Sequence, residues 1–206
     1  MRKKTILSTL AISILAAAPA LAADGGTLND AERAFLIEQM EKSKKAFLAS
    51  ISGLSEAQWK FKPAPNVWSV AECAEHIVIS ETFLFGVSQQ MLKSPAVPRP
   101  EKSTAEFDRQ LAIGVQDRSH KASAPEPLVP SGKIATPADA ANAFTAKRDA
   151  NEAYAKSTAD DLRVHVMDSP AGPIDAYQFL VLMATHTARH TAQIKEVQAN
   201  ANYPSK

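Results

Sequence analysis

The sequence holds one cysteine, Cys73. That excludes an intrachain disulfide and any zinc cluster built on cysteines. An excess of one charge sign is lacking too. Lys plus Arg is 23 and Asp plus Glu is 22, a formal net charge of +1, so no overall field draws the chain to nucleic acid or to an acidic membrane. There is no glycine-rich phosphate loop, no Gly-x-Ser-x-Gly elbow and no His-Glu-x-x-His zincin motif. No repeat recurs at a solenoid period. What is present is ordinary globular material. With 45% hydrophobic and 22% charged residues, a disordered chain, a collagen-like fibre and a polytopic membrane protein are excluded. A chain of 206 residues suffices for one domain with a real core.

The first segment reads as an address. Residues 2–4 are Arg-Lys-Lys, residues 5–18 are apolar or small, and Ala20-Leu21-Ala22 precedes Ala23. A basic head, a short apolar run and an Ala-x-Ala site predict a secretory signal peptide over 1–22, cleaved after Ala22. The run is short for a membrane span, and an uncleaved anchor is the alternative. The residue directly after the cleavage site is Ala23 and not a cysteine, so nothing suggests a lipoprotein. The expectation is a periplasmic or secreted protein with no stable membrane span after cleavage. Residues 23–206 are then a single domain with its core over about 28–198.

Four segments predict long helices. The first, about 29–52, opens at Asn29 and closes near Gly53. Leu36, Met40, Phe47 and Ile51 fall on one of its faces. The second, 69 to about 92, opens on the capping box Ser69-Val70-Ala71-Glu72, with Trp68 and Cys73 at the staple positions. The third, 136 to about 158, starts Thr136-Pro137-Ala138-Asp139, with proline at the first helical position. Its apolar face is weak: Ala141, Phe144, Tyr154 and many alanines. The fourth, 175 to about 199, has Asp175 as cap, Gln178 at the box position and Ile174 and Phe179 as staple. Leu180, Leu182 and Met183 make it the most apolar.

Two proline clusters, Pro95-Pro98-Pro100 and Pro125-Pro127-Pro130, interrupt the long stretch between the second and third helices. A short helix over about 104–116 fits between them. Residues 162–167 read as extended, and Ser169 to Pro173 as a turn. A linker this long crosses over a bundle rather than making a tight hairpin.

The candidate chemistry lies in the histidines. His186 and His190 are four apart on the fourth helix. They are turned by about 40° and raised by about 6 Å, so both rings leave the same face. That spacing suits two nitrogen ligands on one metal ion, although such pairs also occur on ordinary exposed faces. His76 lies two turns into the second helix, on its Cys73–Ile77–Ser80 side. In a four-helix bundle a ligand from one helix meets a pair from another in the core. Spacing therefore leaves two readings open: a three-histidine site with an open coordination position, suited to zinc or nickel, or a satisfied core histidine at His76.

Residues 54–76 end in Pro-Asn-Val-Trp-Ser-Val-Ala-Glu-Cys-Ala-Glu-His, and residues 186–194 read His-Thr-Ala-Arg-His-Thr-Ala-Gln-Ile. A loop ending Pro-x-x-x-Trp-Ser, a helix with one histidine and a closing helix with His-x3-His-x2-Gln-Ile resemble the DinB-like superfamily. The likeness spans about 28–198. It implies an all-α fold, a four-helix bundle with long crossover connections. It also implies His76, His186 and His190 as ligands of a divalent metal ion. For activity it implies a metal-dependent hydrolase or transferase of small molecules, and some relatives are thiol transferases or isomerases. Export argues against that last option, because low-molecular-weight thiols are concentrated in the cytosol. The alternative is a non-catalytic metal-binding or stress-related protein with a structural or vestigial site. A small-molecule substrate is the expected partner, nucleic acid is not, and a homodimer is a third possibility.

Other residues are candidates for supporting roles. Glu72 could be a base, but a capping-box acid is the simpler reading. Glu75 reads as a solvated charge beside His76. Gln193 either orients a ring or a bound water, or makes an interhelical hydrogen bond. Cys73 reads as a small buried residue rather than a ligand. Trp59 and Trp68 read as closing the bundle end, with Trp68 alternatively walling a pocket. Arg189 reads as facing outward. His120 and His165 need no special role, and Lys42, Lys44 and Lys45 form a solvated face.

Overall fold

Each long helix begins where a short polar side chain can hold free backbone amides. Asn29 opens α1 (Asp30–Ile51), Ser69 opens α3 (Val70–Met91), Thr136 opens α5 (Pro137–Ser157) and Asp175 opens α6 (Ala176–Gln198). In all four the cap accepts the amide three residues on, and that residue's side chain reaches back to the cap's own amide. Each cap contributes about 1 kcal/mol. These starts are the ones that the sequence predicts.

The computed structural model describes residues 27–169 and 172–205. The expected signal peptide, residues 1–22, lies outside the described residues. Among them the remaining elements are α2 (Glu56–Lys60), α4 (Ala105–Gln116), a 3-10 turn (Glu126–Leu128), and the strands β1 (Val166–Met167) and β2 (Ile174–Asp175). No described helix is long and apolar enough to cross a membrane.

α6 packs against α1 and α3, and α5 packs against the same two helices. The four form a ring in the order α1, α6, α3, α5. The chain therefore crosses the bundle twice between opposite members, from α1 to α3 and from α5 to α6. The proline-rich connection from α3 to α5 carries α4, which packs on α6. The fold is the expected all-α four-helix bundle, but the long proline-rich linker expected to cross over joins the neighbours α3 and α5, and the crossovers are the connections from α1 to α3 and from α5 to α6.

The predicted face of α1 is the buried one: Leu36, Met40, Phe47 and Ile51 are all buried. Two apolar clusters fill the interior. One gathers Leu36, Met40, Tyr177, Leu180 and Met183. The other gathers Phe47, Trp59, Ile77, Phe144 and Ile194, with Phe47 and Phe144 edge to face at 4.7 Å.

The weak face of α5 has a physical reason. Beside Ala140, Phe144 and Ala155 it buries Arg148 and Asn151. Arg148 makes a two-pronged ion pair with Glu81 at 2.8 and 2.7 Å. It also donates to the Met40 carbonyl, Ser43 and Thr187. A polar network occupies the place of the missing apolar stripe.

Residues 162–167 depart from the extended reading. Only Val166–Met167 is strand, paired antiparallel with Ile174–Asp175. The chain turns at residues 162–164, where the Leu162 and Arg163 side chains go inward. Leu162 is buried in the core. Arg163, fully buried, lies 3.8 Å over the Tyr177 ring. Its guanidinium meets Glu32 at 2.8 Å, Asp108 at 2.5 Å and Asp175 at 3.1 Å. The expected turn follows, with Ser169 and Gly172 exchanging backbone hydrogen bonds.

Candidate metal centre

His76 sits in the second turn of α3, with Cys73, Ile77 and Ser80 buried on the same side. His186 and His190 leave α6 toward it. The three Nε2 atoms lie 3.4 Å (His76–His186), 3.2 Å (His76–His190) and 3.2 Å (His186–His190) apart. This cluster can hold a metal ion, and among the described residues no fourth His, Cys, Asp or Glu joins it.

The protonation of two rings is set by what lies behind them. The Nδ1–H of His76 donates to the Leu128 carbonyl at 2.7 Å. The Nδ1–H of His190 donates to Gln193 Oε1 at 2.8 Å. With the proton on Nδ1, each Nε2 presents a bare lone pair. Burial holds all three imidazoles neutral, the form that binds metals. It lowers the pKa of His76, and it lowers His186 to about 3 and His190 to about 2, the neighbouring imidazoles adding to both.

Two bare lone pairs and the His186 ring nitrogen converge on one point, a donor set that fits a metal. Zinc–imidazole bonds of about 2.0–2.1 Å at tetrahedral angles place ligand nitrogens about 3.3 Å apart. The observed separations bracket that value.

Trp68 walls the cluster, its ring centroid 4.9 Å from His76 and 6.2 Å from His190. Trp68 also packs on the apolar cluster at that end, as a closing residue should, and it lines neither of the two clefts described below. Trp59 is buried within the core, as a closing residue should be.

The candidate bases are all engaged elsewhere. Glu72 caps α3 and pairs with Lys62 at 2.7 Å. Gln193 orients the His190 ring. Glu75 corrects the expectation of a solvated charge: it is buried, and its carboxylate accepts from Ser131, Gly132 and Lys133. Cys73 is buried, and burial pushes its thiol up to about 12. It is a packing residue outside the cluster.

Arg189 corrects another expectation. It does not face outward but donates to the carbonyls of Val115, Asp117 and His120, tying the segment after α4 onto α6. Arg118 adds a second tie, a two-pronged pair with Glu196 at 2.6 and 2.7 Å. It also donates to Gln193 Oε1 at 3.4 Å. Neither Arg118 nor the Leu128 carbonyl was visible as a site group in the sequence. A carbonyl carries no residue signature, and nothing in the sequence links residue 118 to residue 193.

Two clefts lie apart from the histidines. One, of about 780 Å³, runs between the end of α1 and the start of α5, past Leu48, Ile51, Pro137 and Ala141. The other, of about 190 Å³, is lined by Lys42, Ser43, Thr185 and Lys195.

A four-helix bundle with three convergent imidazoles defines the class: a helical protein with a histidine cluster that can hold a metal ion. Comparison with known sequences gives the family. The family model of the DinB superfamily matches residues 39–194, and the chain belongs to that superfamily. It is 25% identical over 149 residues to the uncharacterized protein YuaE of Bacillus subtilis (strain 168), covering 72% of this chain and 88% of that one. No solved structure matches.

Proposed function

We propose that His76, His186 and His190 hold one divalent ion, zinc or nickel, and that the protein is an exported metal-dependent hydrolase or transferase of small molecules. The observation that carries this is the convergence of three Nε2 atoms within 3.2–3.4 Å, two of them with Nδ1 already committed. A divalent ion so held supplies Lewis acidity, which makes a nucleophile available near neutral pH or polarises a substrate carbonyl. The chain's own residues orient the imidazoles, keep them neutral and wall one side with Trp68. Three protein ligands leave a position for a small molecule, as catalytic sites do and closed structural sites do not.

The test is elemental analysis of the untagged protein beside the His186→Ala/His190→Ala variant. About one divalent ion per chain, absent from the variant, supports the reading. No ion in either, with unchanged stability, overturns it. Export is tested on the same chain by the mass of its N-terminus after expression with an intact secretion system, cleavage after Ala22 being expected.

A second reading, a non-catalytic metal protein, is favoured by the two clefts, which lie away from the histidines. Cobalt-substituted protein separates the readings. A visible spectrum that shifts on adding azide or a small thiol marks an accessible position, and an unmoved spectrum marks a closed one.

A further inference from the structure

Glu75 and His76 are neighbours in α3, and both grip the same loop. Glu75 Oε1 accepts from Ser131 N at 3.0 Å, Ser131 Oγ at 3.1 Å and Lys133 N at 3.2 Å, and Oε2 accepts from Gly132 N at 2.8 Å. Three successive amides converge on one carboxylate. Such a nest needs a residue in the left-handed region, and Gly132, at φ +78°, supplies it. A few residues earlier the same segment offers the Leu128 carbonyl to the His76 ring at 2.7 Å. The Leu128 side chain is buried, and the Val129 amide closes the turn onto Glu126.

Glu75 itself does not reach the histidine cluster. Its influence passes through the loop. A carbonyl in an irregular segment stays in register with an imidazole only if the segment is anchored, and the four bonds to Glu75 are that anchor. We propose that Glu75 is a positioning residue for the metal centre: by pinning residues 131–133 it keeps the Leu128 carbonyl on His76 Nδ1, and so keeps the His76 Nε2 lone pair aimed at His186 and His190. The proposal rests on the reading of the three histidines as ligands, but its structural half can be tested without metal.

Glu75→Gln is the direct variant, because an amide must turn an N–H toward at least one of the loop's N–H groups. Gly132→Ala loosens the loop from its other side. A Cβ at 132 meets no atom within 4 Å, so only the left-handed backbone is strained. Two readouts apply to each: the His76 tautomer from long-range proton–nitrogen spectra of the metal-free, labelled chain, and zinc affinity by competition with a chromophoric chelator. The wild type is expected to show His76 protonated on Nδ1. Both variants are expected to mix in the Nε2–H form, leave the His190 tautomer unmoved and bind zinc about 10- to 100-fold more weakly. A clamp of purely structural value lowers the melting temperature and moves neither readout.

An unmoved His76 tautomer in a folded variant overturns the proposal. Should Glu75→Gln not fold, Gly132→Ala decides. If the wild type takes up no zinc, the metal reading falls, and the tautomer still decides the role of Glu75. If zinc binds equally to wild type and variants, only the role of Glu75 falls.

Discussion

Arg148 and Glu81 form a two-pronged ion pair across the bundle, from α5 to α3, with neither side chain exposed to solvent. The pair is completed by Met40, Ser43, Asn151 and Thr187. Its desolvation cost is large, so its value lies in being complete. Arg148→Met leaves Glu81 buried without its partner and is expected to destabilise by about 3–5 kcal/mol. The double variant Arg148→Met/Glu81→Leu is expected to lose much less than the two single losses combined. Urea unfolding of the four proteins measures both. Additive losses would show that the two side chains act separately.

The histidine cluster makes the metal-free protein acid-sensitive. Above about pH 6.5 the imidazoles are neutral in both the folded and the unfolded chain, and stability is fully present. Below it the unfolded chain binds protons that the folded cluster refuses, because His186 and His190 are held at about 3 and about 2. Stability is therefore lost as pH falls, by about 1.4 kcal/mol per pH unit for each histidine. Urea unfolding with chelator present, at pH 7.5 and 5.5, reads this slope. The His186→Ala/His190→Ala variant is expected to show a shallower one. Parallel slopes would contradict the burial argument.

Gln193 decides which nitrogen of His190 is free. Gln193→Leu removes the acceptor at 2.8 Å without removing a histidine. Zinc affinity is expected to fall about 10- to 100-fold, with a small change in melting temperature. Chelator competition beside a thermal melt checks both. Unchanged affinity would return Gln193 to the role of an ordinary hydrogen-bonding residue.

Cys73 is inert by burial. With its thiol pushed up to about 12, almost no thiolate is present at neutral pH, and thiolate is the reactive form. Native protein is expected not to react with a disulfide reagent over hours, and unfolded protein to release one equivalent at once. Cys73→Ala is expected to keep its metal. Rapid labelling of the native chain would place Cys73 in an open environment.

Capping chemistry was the most legible part of the sequence. Asn29, Ser69, Thr136 and Asp175 announce four helix starts because a short side chain and its partner three residues on are local features. The histidine pair was legible for the same reason, since four residues is one turn. The addition of His76 depended on the family resemblance as much as on its face of α3. What stayed hidden was long-range. Glu75 looked like a surface charge because its partners lie more than fifty residues away, in backbone amides at 131–133. Arg189 looked free because carbonyls at 115–120 are not written in residue types. The weak face of α5 gave no hint of Arg148, whose partner sits on another helix. Residues 162–167 alternate like a strand, and only Arg163 and its three carboxylates explain why the chain turns instead.

That buried arginine has a consequence for how the bundle assembles. Its partners come from the first helix, from the middle of the proline-rich connection and from the cap of the last helix. No early fragment of the chain contains all of them, and closing such distant contacts is slow because the loops between them must be ordered first. A nascent chain that lacks α6 has Glu32 and Asp108 in place but neither Asp175 nor the Tyr177 ring on which the guanidinium rests. Of the four long helices the one synthesised last supplies Asp175 and Tyr177, so the burial of Arg163 against the first helix is completed only once α6 is present.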